Sequence, residues 1–375
     1  MFSISPKYLT WGIVAVLVAV FYFLQKKYQS GGLGFTGTPV LDKYTKDLTH
    51  LAAEGKLDPV IGRHDEIQRL IQILSRRTKN NALLVGKAGT GKTAIAEGLA
   101  LKIAQAKQIP LELSSKRVLE LDVAEVLAGT KYRGEFEERA KKILNEIDKA
   151  NRGIILFIDE IHTLIQTQGT EGAINFSDII KPSLARGKLQ LIGATTMEEY
   201  EKYIKPQSSL ERRFQIVEVK EPTQEETILI LNGLKEKYMA YHKVEFTPAA
   251  INAAAELSEK YVKNRQLPDK AIDAIDEAAA MVKVAHLDKH IAGILHGAAK
   301  DKNPAFADNW KKIKEIDQRI LKTQLNSSAY KNLYIEREKL EGELYKNLGE
   351  IVVDMSDIQA VIAGWTGKKP EEIIL

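Results

Sequence analysis

The chain has 375 residues, more than one hydrophobic core usually organises, so we expect two or three packed units with appendages. Its content of 44% hydrophobic and 28% charged residues is typical of a globular protein. Cysteine is absent, which excludes disulfides, thiolate metal sites and cysteine nucleophiles. The 54 basic and 50 acidic residues are interleaved, so the net charge of +4 predicts no nucleic-acid partner.

An uncharged segment near the N-terminus predicts a membrane-spanning helix. Residues 8–24 contain no charged side chain, lysines flank them on both sides, and aromatic residues lie toward both ends. A cleaved signal peptide is the alternative, although no small-residue cleavage site follows the apolar segment directly. The two lysines after the segment favour a cytoplasmic C-terminal body, so we expect a single-pass protein of the bacterial inner membrane. Residues 1–28 are interpreted as the anchor, and the glycine-rich residues 30–39 as a flexible tether.

A complete phosphate-binding loop follows a short apolar segment. Residues 81–85 are predicted to form a buried strand, the sequence GKAGTGKT follows at 86–93, and an amphipathic helix comes next. Glycines let backbone amides approach phosphate oxygens, and the helix N-terminus adds donors and a positive dipole. We expect Lys92 to neutralise the terminal phosphates of ATP and Thr93 to ligate Mg²⁺. The residues predicted to bind nucleotide in this segment are Gly86, Lys87, Ala88, Gly89, Thr90, Gly91, Lys92, Thr93 and Ala94.

An acidic pair ends another predicted strand. Residues 154–158 are apolar and run directly into Asp159 and Glu160, where a doubly wound sheet would place them beside the phosphate-binding loop. We expect Asp159 to hold Mg²⁺ and Glu160 to orient and deprotonate the attacking water. Such a pair is common at exposed strand ends, but together with the loop upstream it predicts ATP hydrolysis.

Two further features could complete a hydrolytic site. The predicted strand at 189–194 ends before Thr195 and Thr196, whose hydroxyl groups could sense the γ-phosphate. Arg212 and Arg213 are adjacent at the expected rim of the module, where a guanidinium could reach the nucleotide of a neighbouring subunit. A solvated surface pair is the alternative for these arginines. The first interpretation makes hydrolysis depend on oligomerisation.

Several multi-residue motifs occur along the chain in a fixed order. They are LDKYTKDLTHLAAEGKLDPVIGR at 41–63, the P-loop, KYRGEFEER at 131–139, LFIDEIHTL at 156–164, IGATTMEEY at 192–200, LERRF at 210–214, LPDKAID at 267–273 and DMSDIQAVIAGWTG at 354–367. In this order they resemble the first ATPase module of a known family, the Clp-type AAA+ unfoldases and disaggregases such as ClpA, ClpB and ClpC. The resemblance implies an α/β P-loop core with a parallel sheet flanked by helices, and a small all-helical lid.

The resemblance also implies roles for individual residues. Val60 and Ile61 correspond to residues that pack against adenine, and Thr196 to the γ-phosphate sensor. Arg212 and Arg213 correspond to the arginines that reach into the neighbouring subunit.

The resemblance further implies a pore loop. Tyr132, within Lys131, Tyr132, Arg133 and Gly134, corresponds to the aromatic residue that grips unfolded polypeptide in the centre of a ring of six copies, although a plain surface tyrosine is the alternative. Compared with the family, we expect the predicted membrane helix to stand in place of the adaptor-binding repeats, and we expect no second module, unless this sequence is the front part of a longer protein. We therefore do not expect direct docking onto a Clp peptidase.

The C-terminal third is predicted to be helical. Apolar residues three or four apart at 310–325 and 330–348 indicate a helical hairpin with coiled-coil packing, either a partner-binding middle domain or a structural extension of the lid. Position 270 carries a lysine that could weakly replace a second-sensor arginine. The predicted units are a tether and linker helix at 29–57, a large nucleotide-binding domain at 58–222, a lid at 223–285, the inserted hairpin at 286–348, and the end of the lid with a truncated linker at 349–375.

Together these features predict a membrane-anchored homo-oligomer that uses ATP and Mg²⁺ to thread unfolded or misfolded protein through a ring pore. The alternative is a nucleotide-dependent membrane scaffold that recruits partners through the hairpin without threading. A nucleic-acid motor is less favoured, since no DNA-binding motif occurs.

Overall fold

The computed structural model describes residues 38–128, 133–166, 176–295, 304–325, 327–347 and 350–375. The predicted membrane helix at residues 8–24 lies outside these ranges. Within them, no helix combines the length and the apolar character needed to cross a bilayer.

The large domain contains a sheet of six strands in the order β1-β3-β4-β5-β2-β6, parallel except for β1. Its strands are β1 (Thr45–Asp47), β2 (Asn81–Val85), β3 (Arg117–Leu121), β4 (Ile154–Ile158), β5 (Gln190–Thr195) and β6 (Phe214–Glu218). The α-helices described in this domain are α1 (Pro39–Lys43), α2 (Leu48–Ala53), α3 (His64–Leu74), α4 (Lys92–Ala104), α5 (Leu111–Ser114), α6 (Val123–Leu127), α7 (Arg133–Lys149), α8 (Thr163–Gln166), α9 (Phe176–Ala185), α10 (Met197–Glu199) and α11 (Ser208–Glu211). A π-helical turn, Tyr200–Ile204, extends α10.

The central strands are apolar on both faces because helices cover both sides of the sheet. Leu83 and Val85 of β2 pack in one core with α7 and α9, whereas Ala82 and Leu84 pack in another with α3 and α4. All residues of β2, β4 and β5 are buried. This arrangement confirms the predicted α/β fold with a mostly parallel sheet flanked by helices.

Residues 38–57 are the described part of the segment 29–57, which was predicted to be a tether and a linker helix. They form α1, β1 and α2, and β1 pairs antiparallel with β3. Leu41 and Leu48 are fully buried in the cores on either side of the sheet. Arg117 of β3 forms ion pairs of 2.9 Å with Asp42 and 2.8 Å with Asp47. The segment therefore belongs to the large domain, because its apolar residues complete that domain's cores.

The lid is helical, as predicted, with one pair of short parallel strands. Its elements are α12 (Gln224–His242), β7 (Glu245–Phe246), α13 (Pro248–Tyr261), α14 (Asp269–Leu295), α15 (Pro304–Leu321), α16 (Ser328–Asn347), β8 (Val352–Val353), α17 (Met355–Thr366) and the 3₁₀ turn Pro370–Glu372.

The hairpin is joined to the lid differently from the prediction. The boundary expected at residue 285 falls inside α14, which continues unbroken to Leu295. The first hairpin helix begins at Pro304 rather than at residue 310, since Phe306 is fully buried in the lid core. Leu344, near the end of the second hairpin helix, is buried in the same core. The base of the hairpin is therefore part of the lid.

Candidate active site

A cleft of about 890 Å³ lies where the carboxyl ends of the parallel strands face the lid. The large domain contributes the residues before α3, the loop between β2 and α4, and the ends of β4 and β5, while α12 and the start of α14 contribute the lid side. Ligands of doubly wound folds bind at this edge, where helix N-termini point. The predicted site residues that line the cleft are Val60, Ile61, Ala88, Gly89, Thr90, Gly91, Lys92, Thr93, Ala94, Asp159, Glu160 and Thr196.

Glycines shape the loop between β2 and α4. Gly89 and Gly91 have φ angles of +79° and +87°, in the left-handed region that disfavours side chains. A Cβ on Gly89 would lie 2.8 Å from the Cβ of Asp269 at the start of α14, and one on Gly86 would lie 2.3 Å from the carbonyl oxygen of Val219. The loop therefore has its phosphate-binding shape only with glycine at these positions, and it contacts the lid directly.

Arg63 holds the same loop from inside the protein. The guanidinium is 8% exposed and donates hydrogen bonds of 2.7 Å to the carbonyl oxygen of Thr90 and 2.9 Å to that of Lys220. Its other branch pairs with Glu66 at 2.7 Å. A buried charge is stable only with such partners. This role was not predicted, since the carbonyl groups involved come together only in the folded chain.

Lys92, the first residue of α4, is oriented by the loop that precedes it. Its ammonium group donates hydrogen bonds of 2.9 Å to the carbonyl oxygens of Gly86 and Lys87. These two predicted site residues do not line the cleft, but they direct the lysine that does. Burial lowers the pKa of Lys92, and the carboxylates of the cleft, Asp159 foremost, act to raise it. A cation poised among carboxylates can pair with the terminal phosphates of a nucleotide.

Thr93 and Asp159 converge as predicted. The Thr93 hydroxyl donates a hydrogen bond of 2.7 Å to the Asp159 carboxylate, although the two residues are on different elements, α4 and the end of β4. Hydroxyl and carboxylate oxygens are the protein ligands that suit Mg²⁺ bound with nucleotide phosphates. The donor set therefore fits the predicted ion.

Glu160 lines the cleft in a strained backbone conformation. Its φ angle is +46°, which costs a non-glycine residue on the order of 1 kcal/mol, and its backbone N–H donates a hydrogen bond of 2.9 Å to Asp159. Strain of this kind clusters at functional sites, where the surrounding structure maintains it. The side chain is exposed within the cleft, so water can reach its carboxylate.

Thr195 and Thr196 meet two residues that were not predicted. The Glu199 carboxylate accepts hydrogen bonds of 3.1 Å from the Thr195 hydroxyl and from the Thr196 backbone N–H. His162 contacts the Thr195 hydroxyl at 3.2 Å and Glu199 at 3.1 Å. The threonine and glutamate three residues apart, at 196 and 199, form a capping box for α10, a signal readable in the sequence. The position of His162 had no such signal.

An apolar wall extends the cleft toward the lid. Val60 and Ile61 face Ile230, Leu234 and Tyr238 of α12 across it. α12 has a glycine at position 233, where a Cβ would lie 1.6 Å from the Cδ1 atom of Ile61. The absence of a side chain at Gly233 therefore lets Ile61 pack directly against α12. The lid residues were not predicted because nothing local distinguishes them from core residues.

Lys270 does not face the cleft, so the prediction that it replaces a second-sensor arginine is wrong. It is 4% exposed, and its ammonium group donates a hydrogen bond of 2.9 Å to the carbonyl oxygen of Val262 within the lid. Burial lowers the pKa of Lys270. The side chain is turned inward because its hydrocarbon part packs in the lid while its charge reaches a carbonyl group.

The remaining predicted residues lie away from this cleft. Arg212 and Arg213 follow α11, are exposed, and do not line the cleft of their own chain. Lys131 and Tyr132 lie outside the described residues. Arg133 and Gly134 are the first residues of α7.

Two protein-family models match the chain. The model of the ATPase family associated with various cellular activities (AAA) matches residues 82–221, and that of the AAA lid domain matches residues 223–335. These ranges cover β2 to β6 with the phosphate-binding loop, the lid helices α12 to α14, and the hairpin as far as the first turns of α16, whereas β1 and the cleft residues within 58–63 lie outside them.

Curated relatives match almost the whole chain. It is 50% identical over 346 residues to the chaperone protein ClpB of Oceanobacillus iheyensis, covering 90% of this chain and 41% of that protein. It is 49% identical over 339 residues to the negative regulator of genetic competence ClpC/MecB of Bacillus subtilis, covering 88% of this chain and 40% of that protein. The chain thus spans about two fifths of the length of these relatives.

Solved structures share the fold. A closed-state cryo-electron microscopy reconstruction of Hsp104 with ATPγS and FITC casein matches with a TM-score of 0.66 and 37% identity, over 88% of this chain and 45% of that one. The Hsp104–ADP complex of S. cerevisiae matches with a TM-score of 0.61 and 45% identity, over 65% of this chain and 42% of that one.

Proposed function

Because the chain belongs to the AAA+ ATPases of the Clp/Hsp104 type, we propose that it couples ATP hydrolysis to the threading of unfolded protein through a ring of identical subunits. Its AAA domain makes it an ATPase. The main support for the proposal is the convergence on one cleft of Lys92 and Thr93 from α4 with Asp159 and Glu160 from the end of β4. Each of these residues supplies a group that phosphoryl transfer needs.

The cleft residues divide the work of hydrolysis among them. The amides at the start of α4 and the ammonium group of Lys92 bind the phosphates, and Mg²⁺ held by Thr93 and Asp159 would offset their charge. The Glu160 carboxylate takes a proton from a water molecule while the water oxygen attacks the γ-phosphorus. The bond between the γ-phosphorus and the oxygen that bridges it to the β-phosphate then breaks. ADP and phosphate are the products. The strained backbone of Glu160 keeps its carboxylate toward the water side of the cleft.

Contacts between the phosphate-binding loop and the lid supply a route from hydrolysis to movement. Gly89 lies against Asp269, Lys87 donates a hydrogen bond of 3.3 Å to Gln266, and Glu221 accepts one of 2.8 Å from the backbone N–H of Leu267. All of the lid partners are at or just before the start of α14. A change in the loop when the γ-phosphate leaves therefore acts directly on the orientation of the lid.

The substrate half of the proposal rests on Tyr132 and on the relatives. Tyr132 matches the pore-loop aromatic of the family, and the Hsp104 reconstruction was obtained with FITC casein. A ring of six copies would bring such loops together around a central pore. An aromatic side chain there can grip any extended polypeptide through apolar contact with little dependence on its sequence.

We expect Tyr132→Ala to abolish protein unfolding while ATP hydrolysis persists, because the variant loses its grip on the polypeptide but keeps every cleft residue. The measurement is the ATP-dependent loss of fluorescence of a folded reporter protein with an unstructured tail, beside the ATPase rate of the same samples. Tyr241→Ala, which removes a tyrosine that is 77% exposed on α12, is the matched control. Unfolding by Tyr132→Ala at the wild-type rate would refute threading by this loop, and a wild type that hydrolyses ATP without unfolding the reporter would favour the scaffold.

We also propose that residues 8–24 anchor the ring to a membrane with the ATPase body in the cytoplasm, a proposal supported by their sequence. Full-length protein should stay with membranes after alkaline carbonate extraction, and a variant without residues 1–28 should be found in the supernatant. Release of the full-length protein by carbonate would contradict anchoring by a spanning helix.

A further inference from the structure

Glu199 lines the cleft, yet the roles assigned above leave it unused. It is the last residue of α10 and comes three residues after the predicted sensor Thr196. One carboxylate oxygen accepts hydrogen bonds from the Thr195 hydroxyl and the Thr196 N–H, and the other contacts His162. These contacts join the carboxylate to the candidate γ-phosphate sensor Thr196, to Thr195 beside it, and to His162, which itself contacts Thr195.

The contacts of Glu199 orient the hydroxyl group of Thr196. That hydroxyl oxygen accepts a hydrogen bond of 3.2 Å from the backbone N–H of Glu199, and the Glu199 carboxylate accepts one of 3.1 Å from the backbone N–H of Thr196. The reciprocal pair fixes the side chain of Thr196. Because its oxygen is used as an acceptor, the hydroxyl group can direct its hydrogen either to the Glu199 carboxylate, whose pKa the Thr196 side chain helps to lower, or to a phosphate oxygen when nucleotide is bound.

His162 holds Glu199 in this position. The imidazole is 7% exposed, its Nε2 atom lies 3.1 Å from the Glu199 carboxylate, and its ring stacks on Tyr203 at a centroid distance of 6.2 Å. Burial acts to raise the pKa of Glu199, but the hydrogen bonds from Thr196 and the nearby His162 outweigh it and leave the pKa below its ordinary value. Since an ionised carboxylate only accepts hydrogen bonds, Nε2 is the donor in this contact.

The charge of Glu199 also reaches Lys92. Glu199 is one of three carboxylates that favour the charged form of Lys92, after Asp159 and before Glu160. Lys92 is the cation expected to pair with the terminal phosphates of the nucleotide. The γ-phosphate of ATP would therefore bring negative charge close to Glu199, whereas ADP has no such group.

We propose that Glu199 is a positioning residue that serves two purposes: it orients the Thr196 hydroxyl toward the γ-phosphate, and its charge lowers the affinity for ATP relative to ADP. His162 holds the Glu199 carboxylate in the position that both purposes require. The inference rests on the proposed ATP site but not on threading or on ring formation.

Three substitutions at two adjacent positions separate the two effects. Glu199→Gln removes the charge at nearly constant size, Glu199→Asp keeps the charge but shortens the side chain that caps Thr196, and Glu198→Gln is the control. Glu198 is exposed, precedes Glu199 on the same turn and does not line the cleft. Affinities for ATP and ADP are compared in a Glu160→Gln background, which prevents turnover, and kcat is measured with Glu160 intact. Thermal melting confirms that each variant is folded.

We expect Glu199→Gln to raise the ATP-to-ADP affinity ratio by about tenfold, the size of one like-charge interaction in a partly exposed site, and to lower kcat by about tenfold. Glu199→Asp should lower kcat without changing the ratio, and Glu198→Gln should change neither. A ratio that stays at the wild-type value in Glu199→Gln, or that shifts equally in Glu199→Asp, would overturn the role of the charge. An unchanged kcat in both would overturn the positioning role. The affinity ratio is measured by binding alone, so it tests the inference even if the protein threads no polypeptide.

Discussion

Replacing Glu160 by glutamine should leave ATP binding intact and lower kcat by about 10²–10⁴-fold, the usual contribution of a general base. The amide has nearly the shape of the carboxylate but cannot take a proton from water. In this variant Lys92 can still bind the phosphates of ATP, and the hydrogen bond of 2.7 Å between Thr93 and Asp159 is retained. The affinity for ATP should therefore change little. The measurement combines the steady-state ATPase rate with equilibrium binding of ATP.

The control for this prediction is Glu198→Gln, which removes an exposed carboxylate outside the cleft and should hydrolyse ATP at the wild-type rate. Melting temperatures should agree among the wild type, Glu160→Gln and Glu198→Gln. A fourth variant, Glu160→Gly, should melt at a higher temperature, because glycine adopts the φ angle of +46° at this position without strain. A Glu160→Gln protein that turns over ATP at the wild-type rate would show that another residue activates the water.

Removing both arginines after α11, in a variant carrying Arg212→Ala and Arg213→Ala, should lower the ATPase rate by about 10³-fold or more, as for other trans-acting arginines. Both side chains are exposed and lie outside the cleft of their own chain, so any effect of theirs on hydrolysis would have to be on a neighbour's nucleotide. The ATP affinity of the isolated subunit should be unchanged, because no group in its own cleft is altered.

Arg76→Ala serves as the control for the arginine variant. Arg76 is also exposed, and its guanidinium donates a hydrogen bond of 2.8 Å to Gln215 on β6. Gln215 is close in sequence to the two arginines. The ATPase rate is measured at a concentration where the mass of the assembly, determined with a slowly hydrolysed ATP analogue, is the same for all variants. If the assembled double variant hydrolyses ATP at the wild-type rate, Arg212 and Arg213 are solvated surface residues without a role in hydrolysis.

The fold and much of the cleft could be predicted from sequence because the responsible signals are local. A buried strand, a glycine-rich loop and a helix follow one another at residues 81–104, and the acidic pair directly follows a second buried strand. Because parallel strands bring their carboxyl ends to the same edge of the sheet, the loop and the acidic pair could be placed together without long-range information. The same grounds indicated Thr195 and Thr196 together, and the resemblance to the Clp-type family selected Thr196.

Residues whose roles arise from tertiary contacts could not be predicted in this way. Arg63 reaches two carbonyl groups far along the chain, and His162 meets Glu199 only through the packing of β4 against β5. Lys270 was misassigned because a sequence does not tell whether a lysine on an amphipathic helix points into a cleft or into the protein. The early segment at 38–57 was taken as a linker because a strand of three residues gives almost no periodic signal.

We propose that ATP is cleaved in a site shared by two copies of the chain, with Lys92, Asp159 and Glu160 from one copy and a guanidinium from the next. Mixing two inactive variants tests this proposal. Glu160→Gln subunits carry intact arginines, and the Arg212→Ala, Arg213→Ala subunits carry an intact Glu160, so random co-assembly in equal amounts would restore both groups at some interfaces. We predict that the mixture hydrolyses ATP at about a quarter of the wild-type rate per subunit, far above either variant alone. A mixture that co-assembles but shows only the sum of the two residual rates would contradict the shared site.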